Sequence, residues 1–500
     1  MGVIVRQSFK AGIIGYLAVI LGFINTAIIY PYFLDIDEFG QIQWAIQGAI
    51  MFTPFITLGF NSVGTKFFGH FANTRESSGK FLGFLLTAPL IASMIFGCAY
   101  LLFRNGIIDY YAFSESGIGS LAIDALVIIT IISGFITMLN VYCANYKRIA
   151  IPSGLNHLIK VTLPILSILY FYGNITYRSI FVFVVCFFVL LLVFFGLYLF
   201  RISKVLPTAG FKKIIPDQIS SQIYPFAFFG ILAGLGSILA TRIDVFMIGT
   251  IIDSGSVAIY TFAIVATNTI ALPITIVAGI ATPIIAIQWK ENNMLEMSDL
   301  YRKSTISLSL IAVGIFLTIW SGLDALFELM PKGDQYAKAK WCLLILGLAK
   351  VVDLSSGLNS QILSMSERYK AYFYFLLSLA VLNFAMNLIL VPRYQIEGAA
   401  IATFTSIVIF NFLKFQYLKS KYSLQPFGTD NLKIFVLGGL VFILLTAVPK
   451  FEMAWINLFL FPILTVLIYA ISAYKLKLSS DVNALVDDKL GKYFRYFNQS

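Results

Sequence analysis

Apolar runs of about 17 to 25 residues recur along the whole chain, and nearly all of them exclude charge. That is the length a helix needs to cross a hydrocarbon core about 30 Å thick. The rest of the composition agrees. Of 500 residues, 59% are hydrophobic and 12% charged, against roughly 25% charged in an ordinary soluble domain. No stretch is polar enough and long enough to form a separate soluble domain, so the chain reads as an all-α polytopic membrane protein.

The runs predict fourteen spans, near 11–34, 42–65, 81–103, 120–142, 154–173, 179–200, 223–252, 257–287, 304–327, 341–363, 371–391, 397–413, 432–449 and 454–474. The eighth is long and contains Pro273 and Pro283, each of which removes a backbone donor, so a kink is expected there. Arg6 and Lys10 precede the first run as in a signal peptide, but the run continues to Leu34 with no small-residue cleavage site and reads as an uncleaved span. Cys98, Cys143, Cys186 and Cys342 have no paired or metal-type spacing and read as small apolar residues.

The net charge of +11 is explained by membrane topology better than by nucleic acid. With the N-terminus in the cytoplasm, the inside loops collect Lys66, Arg75, Lys80, Lys147, Arg148, Arg201, Lys204, Lys212, Lys213, Lys290, Arg302, Lys303, Arg368, Lys370, Lys414, Lys419 and Lys421. The outside loops carry far fewer, as the positive-inside rule requires. An even number of spans returns the C-terminus to the cytoplasm. The tail 475–500, with "KYFRYF" close to its end, suits either an anionic leaflet surface or a solvated segment.

A weak repeat has an offset of 218 residues. "EFGQIQWAIQ" (Glu38 to Gln47) opens the second span and "SVAIYTFAIV" (Ser256 to Val265) the eighth. Each follows a short acidic loop, and each meets a proline at nearly the same distance, Pro54 and Pro273. Six spans separate the copies, so both run the same way through the bilayer. Parallel repeats related by an axis along the membrane normal, with a cavity between them, are expected. The resulting division is an N-terminal six-helix lobe at 1–221, a second at 222–430, two additional helices at 431–474 and a basic tail at 475–500.

The chain resembles the polysaccharide transporters of the multidrug/oligosaccharidyl-lipid/polysaccharide (MOP) exporter superfamily, which include Wzx-type O-antigen flippases of lipopolysaccharide synthesis. The resemblance rests on "DEFGQI" at the start of the second span, "LGFNSVGTKFF" (Leu58 to Phe68), "TRIDVFMIG" in the seventh span, "VAIYTFA" after it, and the fourteen-span layout. It implies two bundles in a V that flip a lipid-diphosphate-linked sugar across a bacterial cytoplasmic membrane. The implied partners are a polyprenyl-diphosphate-linked oligosaccharide, membrane lipids and polysaccharide-assembly enzymes. A monomer without cofactor or nucleic acid is expected.

A charge at mid-bilayer costs a few kcal/mol or more and normally faces a cavity or a partner. The span interiors hold Lys160, Arg242, Asp244, Lys350 and Asp353. Lys350 and Asp353, three apart, can pair locally. Arg242 and Asp244, two apart, lie about 200° around a helix and cannot share a face. The sum is positive, which suits a diphosphate, with Arg242 as a bidentate fork. Asn61 and Asn268 are added as candidate sugar contacts. Each of these residues has a structural alternative, as an interhelical bond or a neutral pair.

Two other functions compete. A multidrug exporter of the same superfamily is expected to carry an embedded acid in its first lobe, and here Asp124, close to an outside end, is the nearest. A membrane glycosyltransferase could use Asp35, Asp37 and Glu38, but every outside loop is short for holding an acceptor. No phosphate-cradling glycine loop followed by Lys and Ser or Thr is present, which excludes a P-loop ATPase.

Overall fold

The computed structural model describes residues 2–113, 117–211, 217–479, 482–484 and 487. Among them there are helices and no strand. In chain order these are α1 (Gly2–Ile24), α2 (Tyr30–Phe33), α3 (Ile36–Thr57), α4 (Phe60–Phe71), α5 (Arg75–Phe113), α6 (Ser120–Asn145), α7 (Ala150–His157), α8 (Ile159–Phe171), α9 (Tyr177–Ser203) and α10 (Asp217–Ile251). There follow α11 (Ser254–Asn268), α12 (Leu272–Glu291), α13 (Met294–Leu329), α14 (Gly333–Tyr336), α15 (Ala339–Ser355), α16 (Asn359–Met365), α17 (Tyr369–Tyr422), α18 (Thr429–Ala447) and α19 (Ala454–Lys475).

Eleven helical stretches among the described residues are long and apolar enough to cross a membrane, and thirteen if the pairs α3/α4 and α15/α16, each bent by 51°, count as one span apiece. The 54-residue α17 breaks at Gln395, whose φ of 49° and ψ of −131° are not helical. Taken as two spans, it brings the total to the fourteen expected.

The interruptions have local causes. α3 ends at Leu58 and Gly59, both left-handed. A Cβ on Gly59 would lie 2.0 Å from the Ala227 carbonyl oxygen, so the turn also admits a close approach by α10. In the eighth span the break falls at 269–271, and Pro273 sits in the first turn of α12, where its missing N–H costs nothing. Pro283 stays inside a continuous helix. In the first span a π turn, Asn25–Ile29, precedes Pro31.

Helix association in lipid depends on close packing rather than on a hydrophobic driving force. α9 illustrates the pattern. It buries Ile180, Val184, Phe188, Leu191, Phe195 and Leu199 at helical spacing, while Leu190 and Leu197 point outward, so both faces are apolar.

The chain separates into two compact units, 1–262 with 376–402, and 263–375 with 403–500. In the first, α3 packs on α6 and α10, and α6 on α9. The indole of Trp44 stacks on Phe246 with centroids 5.3 Å apart and donates to the Phe246 carbonyl at 3.2 Å. Gly249 makes this contact fit, because a Cβ there would lie 2.3 Å from the indole. In the second unit α13 is central: Leu308, Ala312 and Phe316 meet Ile434 and Val441 of α18 and Phe461 and Tyr469 of α19. A second core joins Ile285, Tyr301, Ile362 and Leu418. These units reflect packing, whereas the division at 221/222 reflects the repeat and is taken up below as a proposal.

Most of the tail 475–500, including "KYFRYF", and the loop residues Lys212, Lys213 and Pro216 lie outside the described residues.

Candidate functional site

Arg242 is half-buried on α10, and its Nη1 donates to Oε1 of Gln47 on α3. Gln47 is in turn one helical turn from Gln43, its Nε2 3.3 Å from the Gln43 oxygen. A guanidinium offers five N–H donors, and among the described residues Gln47 is its one side-chain partner. No carboxylate lies within ion-pairing distance of it there.

Asp244 faces elsewhere, as its two-residue offset requires. It is 4% exposed. Its Oδ2 accepts from the Tyr260 hydroxyl at 3.0 Å and its Oδ1 from Nδ2 of Asn387 at 2.9 Å. Asn387 also donates to the Asn383 carbonyl at 2.9 Å. The carboxylate therefore ties α10 to α11 and α17.

Lys160 is half-buried on α8. Its Nζ donates to the Ala18 carbonyl on α1 at 2.7 Å, over Gly22, where a Cβ would come within 3.0 Å of the amine. The Lys160 carbonyl would normally accept from residue 164, but Pro164 has no N–H. Asn25 supplies the donor instead, at 2.6 Å from the π turn of the first span. Both cations belong to the first unit, and neither has an acid paired to it among the described residues.

Asp353 and Lys350, on α15, and Asn268, which ends α11, belong to the second unit. Asp353 accepts from Asn411 at 3.0 Å, and Asn411 accepts from Asn359 at 3.2 Å, a chain joining α15, α16 and α17. Asn61 is half-buried at the α3/α4 bend, and its side-chain oxygen is buried without a hydrogen-bond partner.

Two residues escaped the sequence reading. Gln47 shows only as the second glutamine of an i, i+4 pair in "QIQWAIQ". Lys414, expected in an inside loop, is instead 1% exposed within α17. Its Nζ lies 2.8 Å from the Ser360 hydroxyl and 3.9 Å from the centroid of Phe410. Its spacing of three from Asn411 was the available signal, since both sit on one helix face.

The acids that suggested an enzyme have structural partners. Asp35 and Glu38 form a capping box at the start of α3. Asp37 accepts from Ser254 at 2.8 Å, and Glu38 from Tyr170 at 2.5 Å. Asp124 accepts from Arg104 at 2.9 and 2.8 Å and from Tyr100. Among the described residues no group of three or more His, Cys, Asp or Glu could hold a metal ion.

A family model described as "Polysaccharide biosynthesis protein" matches residues 4–286. No curated protein matches the chain. Among solved structures, the lipid II flippase MurJ in an inward closed conformation is similar over 93% of this chain and 98% of its own, with TM-score 0.72 and 16% identity. An inward-facing multidrug resistance MATE family transporter of the MOP superfamily covers 84% and 98%, at 0.61 and 16%. A MOP superfamily transporter from Pyrococcus furiosus, reported with a binding pocket of reverse polarity, covers 89% and 96%, at 0.53 and 15%. The fold is that of MOP transporters.

Proposed function

The chain belongs to the polysaccharide biosynthesis protein family, and from that premise we propose that it flips a lipid-diphosphate-linked oligosaccharide across a bacterial cytoplasmic membrane. It is a multi-pass membrane protein with a transporter fold and not an enzyme. The observation that carries the substrate class is that Arg242 and Lys160 are two half-buried cations of the first unit with no paired carboxylate among the described residues. Such a pair costs several kcal/mol in a membrane unless an anion or water compensates it. A diphosphate does so, and the free edge of the Arg242 guanidinium suits bidentate binding.

In this reading Asp244 orients α10 through Tyr260 and Asn387 and does not touch substrate. Asp353 is likewise a structural acid. Lys350, Asn61 and Asn268 remain proposed sugar or phosphate contacts. The lobes 1–221 and 222–430 rock about the site by alternating access, so the head group crosses while the lipid tail stays in the bilayer. Both termini are cytoplasmic, and the protein works as a monomer beside polysaccharide-assembly enzymes that supply and consume its substrate. A solved MOP neighbour that is a lipid II flippase supports this mode.

A cationic-drug exporter would need an acid free to exchange its partner. Asp124 and Asp244 are both hydrogen-bonded, which favours the anionic substrate.

Complementation of a strain lacking its native flippase tests the reading. Arg242→Ala should abolish surface polysaccharide while reaching the membrane in normal amount, and normal polysaccharide would overturn the assignment.

A further inference from the structure

A recess of about 440 Å³ opens on the flank of the first unit. Leu82 and Leu86 of α5, Leu139 of α6, and Leu197 and Phe200 of α9 line it, with no polar side chain among its walls. The segment after α9 contributes Val205, Leu206 and Pro207. That segment is not a loose linker. The Thr208 N–H donates to the Gly79 carbonyl at 3.0 Å, and Phe211 stacks on Phe84 with centroids 4.3 Å apart. The recess is therefore preformed, and a Cβ on Gly196, in its wall, would meet nothing within 4 Å.

Its rim differs from the rest of the apolar flank. Arg201 is exposed in the last turn of α9, and Lys204 follows as its left-handed cap. Neither makes an ion pair among the described residues. On the topology proposed above, both sit at the cytoplasmic leaflet, which is anionic.

We propose that this recess binds one acyl chain of an anionic phospholipid of the inner leaflet, with its phosphate held by Arg201 and Lys204. The all-apolar walls suit a hydrocarbon chain and no part of a sugar. The flipped substrate is not the occupant, because its phosphates meet Arg242 on α10 and Lys160 on α8, and neither helix lines the recess.

Native mass spectrometry of the full-length protein in detergent, offered phosphatidylglycerol and phosphatidylcholine of identical chains, tests this. The wild type should retain one phosphatidylglycerol per chain with roughly thirtyfold preference, as two basic residues near a headgroup imply. Gly196→Leu should fill the recess and lose that lipid without lowering the melting temperature. The Arg201→Gln, Lys204→Gln double variant should bind both lipids equally. Arg242→Ala should keep the lipid whatever happens to polysaccharide, which separates this site from the flipping site. Equal retention of both lipids by the wild type, unchanged retention in Gly196→Leu, or displacement of phosphatidylglycerol by a polyprenyl phosphate would overturn the proposal.

Discussion

The guanidinium of Arg242 on α10 donates to the side-chain oxygen of Gln47 on α3, a residue 195 positions earlier in the chain. An amide can orient a cation without neutralising it, so the charge stays available to an anion. Gln47→Glu puts a carboxylate in the same place. It should raise the melting temperature, since hydrogen bonds to charged groups are worth about 1.5–3 kcal/mol, and at the same time cut surface polysaccharide. Full polysaccharide production by this variant would show that an open cation is not required.

Asp244 has the opposite task. Asp244→Ala removes the carboxylate that accepts from the Tyr260 hydroxyl and the Asn387 amide, and hydrogen bonds to a charged group are worth about 1.5–3 kcal/mol each. A lower melting temperature with loss of polysaccharide in proportion to the folded protein remaining is expected. Asp244→Asn, which keeps one acceptor oxygen, should recover most of both; a stable but inactive Asp244→Asn protein would assign the carboxylate to transport.

Asn25 is expected to matter because of Pro164. With Asn25→Ala the Lys160 carbonyl has no donor, and the protein should lose about 1–3 kcal/mol. Pro164→Ala restores a backbone N–H to that carbonyl. The double variant should therefore be more stable than Asn25→Ala alone, and thermal melting in detergent reads the difference. Additive destabilisation would contradict the exchange of donors.

The topology is checked by reporter fusions. A fusion after Asp253 should report the outside and one after Lys213 the inside. Agreement between the two would break the positive-inside assignment and, with it, the cytoplasmic placement of the basic loops.

The spans were legible because their signal is one-dimensional: length and apolarity decide whether a segment crosses a membrane, and up to thirteen stretches among the described residues pass, one of them divided by the break at Gln395. The divergence of Arg242 from Asp244 was legible for a similar reason, since helix geometry alone fixes it. Partner choice was not. Gln47, Tyr260 and Asn387 reach their partners across helices far apart in sequence, and no periodicity in one helix encodes which face of another it meets. Lys414 is in a helix and not in a loop, although a charge near the end of an apolar run normally marks the membrane boundary. Here the helix runs on to Tyr422, and Ser360 and the ring of Phe410 receive the buried amine. Within the basic inside loop that holds Arg201 and Lys204, the sequence has no local sign that Thr208 and Phe211 dock on α5.

The central claim is that Arg242 holds the phosphates of a lipid-linked oligosaccharide. Binding of a polyprenyl-diphosphate-linked oligosaccharide to purified protein in nanodiscs measures it directly. Arg242→Ala should weaken binding by at least about tenfold, the lower end of what charged hydrogen bonds contribute, with Arg242→Lys intermediate because it keeps the charge and loses the fork. Wild-type affinity in Arg242→Ala would contradict the account.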